Sequence, residues 1–148
     1  MKLTYKFSDL DTSDIENIAS CEAKHFSDAC SGKALSSLLA MGAIAVVAYD
    51  GDTLCGFGYL SVAPGEGELL RIAVNEDHRG CGIGKEILSI LHKRARALGC
   101  GSIFLEVRES NLNAIGLYES MGYTKIGMRK GFYKAPREDA FLYKKDLI

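Results

Sequence analysis

The sequence predicts an α+β fold: helices flanking a mixed, mostly antiparallel central sheet of about six to seven strands, with one parallel seam between strands 4 and 5. Three observations point to it. Strand-like runs at residues 44–49, 53–62 and 69–74 are separated only by tight turns, which makes an antiparallel meander. A long amphipathic helix then separates 69–74 from another strand run at 103–107, and such a crossover makes its two strands parallel neighbours. The tail returns to strand patterning near 125–129 and 140–145.

Each element has its own signal. Residues 2–7 alternate like a strand, and Ser13 with Glu16 gives a capping-box pattern ahead of Ile15, Ile18, Ala19 and Glu22 at helical spacing. Ala34, Leu35, Leu38 and Leu39 mark a second, short helix closed by Gly42. Asp50-Gly51-Asp52 is a hairpin turn, and Pro64-Gly65-Glu66-Gly67 reads as the next one. After residue 74 a polar loop, Asn75-Glu76-Asp77-His78-Arg79, runs into Gly80-Cys81-Gly82-Ile83-Gly84. Ile87, Leu88, Leu91, Ala95 and Leu98 then line one face of the long helix, which Gly99 stops. Residues 111–121 are helical, with Gly122 as the stop.

Length and composition bound the function. At 148 residues the chain is expected to form a single domain spanning 1–148, since about 150 residues is one domain's worth. The formal net charge of −1 argues against a domain that holds nucleic acid by bulk positive charge. The charge is uneven all the same: residues 124–148 carry seven basic and three acidic side chains, the first thirty three basic and six acidic. Five cysteines, Cys21, Cys30, Cys55, Cys81 and Cys100, form no C-x-x-C pair, which suggests neither a disulfide framework nor a zinc site and fits a reducing cytoplasm. His25, His78 and His92 show no metal spacing, so no metal is expected. The N-terminus lacks the apolar core of a signal peptide, and no apolar run reaches the ~18 residues of a membrane span.

Sixteen glycines, about 11% of the chain against an ordinary ~7%, are the unusual entry in the composition. Gly80, Gly82 and Gly84 lie between a strand and a helix start, where free backbone N–H groups and the positive helix end converge on an anion such as a pyrophosphate. The triphosphate loop G-x-x-x-x-G-K-[ST] is excluded, because Arg79 stands at its first glycine and Glu86 at its hydroxyl position. The dinucleotide fingerprint G-x-G-x-x-G fails as well, since Lys85 stands where its last glycine belongs.

Arg79-Gly80-Cys81-Gly82-Ile83-Gly84 resembles the R/Q-x-x-G-x-G/A signature of the Gcn5-related N-acetyltransferases, and Asn111, Ala114, Leu117, Tyr118, Glu119, Gly122 and Tyr123 resemble that family's second half. Leu105-Glu106-Val107-Arg108, leading to Ser110-Asn111, and Arg137-Glu138-Asp139-Ala140 are similar to the ribosomal-protein-alanine N-acetyltransferase (RimI) branch. The resemblance covers about residues 66–145 well and the first half in element order. It implies that Arg79, Gly80, Cys81, Gly82, Ile83 and Gly84 cradle the pyrophosphate of acetyl-coenzyme A, that the backbone of Ile72, Ala73 and Val74 pairs with its pantetheine arm, and that Asn111 touches that arm. For Asn111 a helix N-cap role is open alongside.

Glu106 shares a strand face with Phe104, opposite the apolar face of Ile103, Leu105 and Val107. It is either an ion-pair partner of Arg108 or another cation, or a general base with a raised pKa that takes a proton from an amine of pKa near ~8. The resemblance makes Tyr118 the acid that meets the departing thiolate; with thiol and phenol near ~8.5 and ~10, full proton transfer is uphill by roughly 2 kcal/mol, so hydrogen bonding to the thiolate is its other role. Packing of the Tyr118 ring alone is the bland reading. Cys81 is not expected to be catalytic, because the family places pyrophosphate there.

Acceptor choice is expected in the first half and the tail, where the resemblance is weakest. His25-Phe26-Ser27-Asp28 stands where the branch carries an aromatic segment with tryptophan, and this chain has none. Phe132 and Tyr133 either line a peptide channel or pack under the C-terminal strand. The first reading is acetyl transfer, directly in a ternary complex, to the N-terminal α-amine of a protein, with a ribosomal protein's alanine as the branch's usual acceptor. The others are the same chemistry on a small amine such as a polyamine or antibiotic, and a non-catalytic module binding coenzyme A. No direct nucleic-acid partner and no membrane are expected, and the enzyme would be a cytoplasmic monomer or homodimer.

Overall fold

A computed structural model describes residues 2–7 and 10–148. Strand β1 (Leu3–Phe7) leads to helices α1 (Thr12–His25) and α2 (Gly32–Ala40), and then to the meander β2 (Ile44–Asp50), β3 (Thr53–Ala63) and β4 (Glu66–Val74). Helix α3 (Ile83–Ala97) crosses to β5 (Ser102–Arg108), and α4 (Leu112–Ser120) precedes the closing hairpin of β6 (Thr124–Lys134) and β7 (Arg137–Asp146). The seven strands form one sheet in the order β1-β2-β3-β4-β5-β7-β6, antiparallel except for β4 beside β5. The expected parallel seam between the fourth and fifth strands is therefore present.

Two local readings are corrected. Helix α1 is capped by Asp11 and not by the Ser13–Glu16 pair: Asp14 N donates to Asp11 Oδ1 at 2.9 Å and Asp11 N donates back to Asp14 Oδ2 at 2.9 Å. A carboxylate acceptor satisfies these free helix-end N–H groups as well as a hydroxyl does. Strand β4 begins at Glu66, so only Pro64 and Gly65 turn the chain and Glu66 to Glu68 belong to the sheet.

The two sheet faces bury separate clusters. Helix α3 sets Ile83, Ile87, Leu88, Leu91 and Ala95 against Val46, Leu60, Leu69, Ile103, Leu105 and Val107. On the other face, α1 and α2 place Ile18 and Leu35 against Ala45, Val47, Phe57 and Tyr59. That second layer covers the β2–β3 side of the sheet and leaves the face of β5 that carries Phe104 and Glu106 only half-buried.

Pairing across the parallel seam is short: Glu66, Gly67 and Glu68 stand opposite Ser102, Ile103 and Phe104, and there the register ends. Beyond Glu68, β4 follows β3 to Gly56 while β5 follows β7 to Ala140. The two strands splay apart, and β4 presents an unpaired backbone edge in the middle of the sheet.

Candidate active site

The glycine loop and the splay lie at the same end of β4. A 3-10 turn at Glu76–His78 joins the end of β4 to the loop, and Gly82 in the left-handed region (φ 79°) caps α3 without any side-chain hydrogen bond. Glu86 N is the first to donate back along the helix, to Gly82 O at 3.1 Å. The N–H groups of Ile83, Gly84 and Lys85 therefore have no acceptor within the helix, and no side-chain cap competes for them. Such a donor set fits a pyrophosphate. The three glycines differ in purpose: Gly80 and Gly82 take positive φ, whereas at Gly84 a Cβ would stand 3.1 Å from Leu117 of α4. Gly84 thus keeps α3 and α4 close. Ile83 buries its side chain in the core, so it faces the loop by backbone alone, while Arg79 and Cys81 are exposed.

Glu106 opens onto a cleft of about 330 Å³ at the seam, lined also by Glu66, Glu68, Phe104, Arg129 and Leu142. Its cation is Arg129 from β6, Nη1 to Oε1 3.6 Å, and not Arg108. Arg108 is engaged elsewhere, with Glu138 at 3.2 Å and the Pro136 carbonyl at 2.8 Å. A second carboxylate faces the same cleft. Glu68 is exposed at the rim, and partial desolvation there, reinforced by the charge of Glu106, raises its carboxyl from the ordinary glutamate value, with Arg129 opposing. Glu68 was hidden in the sequence by the turn assigned over 64–67; the alternation Glu66-Gly67-Glu68, continued into the strand, was the signal that could have revealed it.

Tyr118 is buried on α4, its ring 5.6 Å from that of Tyr123. Burial raises its phenol well above the ordinary value, Tyr133 adds to the rise, and the charge of Arg71 opposes it. Tyr133 in turn responds to Glu106, Arg108, Asp28 and Arg71 and is also raised, chiefly by burial. Tyr133 lies under the Arg108 guanidinium at 4.2 Å, and Phe132 meets it edge-on at 5.1 Å while staying partly exposed. Asn111 caps α4, its Oδ1 accepting from Ala114 N at 3.2 Å.

Residues 12–123 match the acetyltransferase (GNAT) family. The chain belongs to that family. Its first half is included, since the match begins at Thr12. This GNAT chain is 39% identical over 99 residues to an uncharacterised protein of Mycobacterium leprae, covering 64% of this chain and 27% of that one. It is 35% identical over 105 residues to the N-alpha-acetyltransferase RimI of Mycobacterium tuberculosis, covering 68% of this chain and 65% of the relative. It spans less than two thirds of the length of either curated relative. Among solved structures, the ribosomal-protein-S18-alanine N-acetyltransferase from Escherichia coli superposes with a TM-score of 0.84 at 27% identity, over 97% of this chain and 94% of that one.

On the GNAT framework the remaining sequence candidates separate cleanly. His92 belongs to the core, its Nε2 2.7 Å from the Tyr123 hydroxyl. His78 lies 3.4 Å from Asp50. Among the described residues no helix is long and apolar enough to cross a membrane.

Proposed function

We propose that the protein is an acetyl-coenzyme A-dependent N-acetyltransferase that acts on the N-terminal α-amine of a protein chain. The observation that carries this reading is the opened seam: β4 borders the Glu106 cleft at its start, leaves β5 beyond Glu68, and leads at its end into an uncapped anion loop. Family membership supports the chemistry, and the N-terminal activity in the names of the similar RimI and S18-alanine enzymes supports the acceptor.

In this reading, the backbone from Arg79 to Gly84 holds the pyrophosphate, with Ile83 and Gly84 donating from the helix end. The open edge at Ile72, Ala73 and Val74 takes the pantetheine amides as an added strand would, and a backbone N–H there stabilises charge developing on the thioester oxygen. Asn111 serves both its cap and the arm. Bound acetyl-coenzyme A supplies an activated acetyl group. Glu106 takes a proton from the α-ammonium before attack and so frees the nitrogen lone pair, and Glu68 shares that proton across the cleft, its raised affinity suiting the task. Tyr118, whose burial makes ionisation still harder than for a free phenol, stabilises the departing thiolate as a hydrogen-bond donor. A protein acceptor places the enzyme in the cytoplasm, where nascent and ribosomal proteins are found.

One observation favours a second reading. Glu66, Glu68 and Glu106 make the cleft acidic, which suits a small polyamine as well as an N-terminal ammonium. Mass spectrometry of peptides starting with alanine, serine or methionine, and of spermidine and an aminoglycoside, after incubation with acetyl-coenzyme A separates the two. Acetylation of alanine peptides at the α-amine alone is expected; preferential acetylation of spermidine would replace the acceptor, and transfer to none would leave a coenzyme A-binding module.

A further inference from the structure

Glu22 is a fully buried carboxylate on α1, and its side chain accepts hydrogen bonds from β3, from β4 and from the connection between α1 and α2. Arg71 of β4 grips it with Nε, 3.1 and 3.2 Å from its two oxygens, and with Nη2, 2.9 Å from Oε1. The Tyr59 hydroxyl donates to Oε2 at 2.7 Å, and Cys30 N donates to Oε1 at 3.0 Å. Arg71 also reaches past Glu22 into the connection between α1 and α2. Its Nη2 lies 3.1 Å from Asp28 Oδ1 and 3.3 Å from the Asp28 carbonyl, and its guanidinium covers the Phe26 ring at 3.9 Å. Phe26, Asp28 and Cys30, three alternate residues of one connection, are thereby tied to a single pair of side chains.

Arg71 precedes Ile72, the first residue of the edge assigned above to the pantetheine arm. Arg71 lies beyond Glu68, where β4 has left β5, so the connection is tied to the splayed part of the strand. We infer that Arg71 is a positioning residue for the acceptor: through Glu22 and Asp28 it holds residues 26–31 as a fixed wall of the acceptor entrance, in register with the strand that receives the thioester. This rests on the proposed function. A guanidinium is suited to the task because its planar fork satisfies one carboxylate bidentately and has donors left for a second partner; an ammonium at the same place keeps the charge but not the geometry.

Removing either member of the buried pair would leave an uncompensated charge and endanger folding, so the test uses gentler variants. Arg71→Lys keeps the cation, and Asp28→Asn cuts the outer arm while leaving Glu22 paired. Arg71→Lys is expected to raise the acceptor KM about tenfold with kcat changed less than about threefold and acetyl-coenzyme A affinity within about twofold, and Asp28→Asn to raise the same KM by a smaller factor. Amide hydrogen exchange of residues 26–31 is expected to quicken in Arg71→Lys. An unchanged KM in both variants, or a parallel loss of kcat and cofactor affinity, would overturn the assignment. The exchange measurement needs no acceptor: if the wild type acetylates no amine, the proposed function falls, and unchanged exchange of 26–31 still refutes the clasp on its own.

Discussion

Arg129 Nη1 and Glu106 Oε1 face each other at 3.6 Å across the mouth of the seam cleft, one from β6 and the other from β5. The contact places the guanidinium at the carboxylate that the proposed reaction uses as its base. Because Arg129 is 58% exposed, solvent screens the interaction and its effect is small. Arg129→Gln is expected to change kcat/KM for an alanine-initiated peptide at pH 7 by less than about threefold. A loss of tenfold or more would show that Arg129 does more than flank the carboxylate.

Glu68 gives a sharper effect near neutrality. Its carboxyl is raised, and it shares the cleft with Glu106, so in the proposed reaction it is suited to hold the amine's proton for a time. Glu68→Gln should lower kcat/KM about tenfold at pH 7, and the deficit should shrink toward pH 9, where an α-amine of pKa near ~8 arrives already neutral. The comparison of the two pH values with one alanine-initiated peptide decides it; an equal deficit at both would assign Glu68 to binding alone.

Tyr118 is expected to contribute by donation without ionising. Tyr118→Phe should lower kcat about tenfold or more while acetyl-coenzyme A binding measured by calorimetry changes little. Since burial raises its phenol, the wild-type profile should show no alkaline fall through the ordinary tyrosine range near ~10 that vanishes in Tyr118→Phe. Such a fall would assign it a lower pKa and a true acid role.

His92 makes a stability prediction with a definite sign. Burial, assisted by the charges of Lys145 and Arg96, lowers its pKa from 6.5 to about 4. In the pH window between those two values the unfolded chain binds a proton that the folded one refuses, so stability is complete above about 6.5 and is lost as pH falls toward 4. Between pH 7 and 5 this amounts to about 2 kcal/mol. Urea unfolding of wild type and His92→Gln at both pH values measures it: the variant should lose that part of the slope, and identical slopes would contradict a buried neutral imidazole.

The architecture was legible because it is written in local patterns. Turns between the meander strands, one long amphipathic helix and the alternation around Glu106 each involve neighbours in sequence, and the alternation correctly separated Glu106 from the core-facing Leu105 and Val107. Asp11 was missed as a cap because its partner at the third helical position is Asp14, which does the work usually expected of a glutamate. Gly67 misled the reading of β4: it is glycine because a Cβ would stand 3.3 Å from both Leu60 Cδ1 and the Ser61 carbonyl, a packing reason that mimics a turn signal. The Arg71–Glu22 clasp was not legible, since its partners are 49 positions apart; Glu22 at helical spacing with Ile15, Ile18 and Ala19 was the one hint of a buried charge.

The account's central claim is that Glu106 is the base of an acetyl transfer to an α-amine, and its most direct test is Glu106→Gln. With acetyl-coenzyme A and an alanine-initiated peptide, release of the free thiol and formation of acetylated peptide should proceed together in the wild type. In Glu106→Gln both should fall about a hundredfold at pH 7 with acetyl-coenzyme A affinity within about twofold of the wild type. Equal turnover in the two proteins, or thiol release without acetylated peptide, would contradict it.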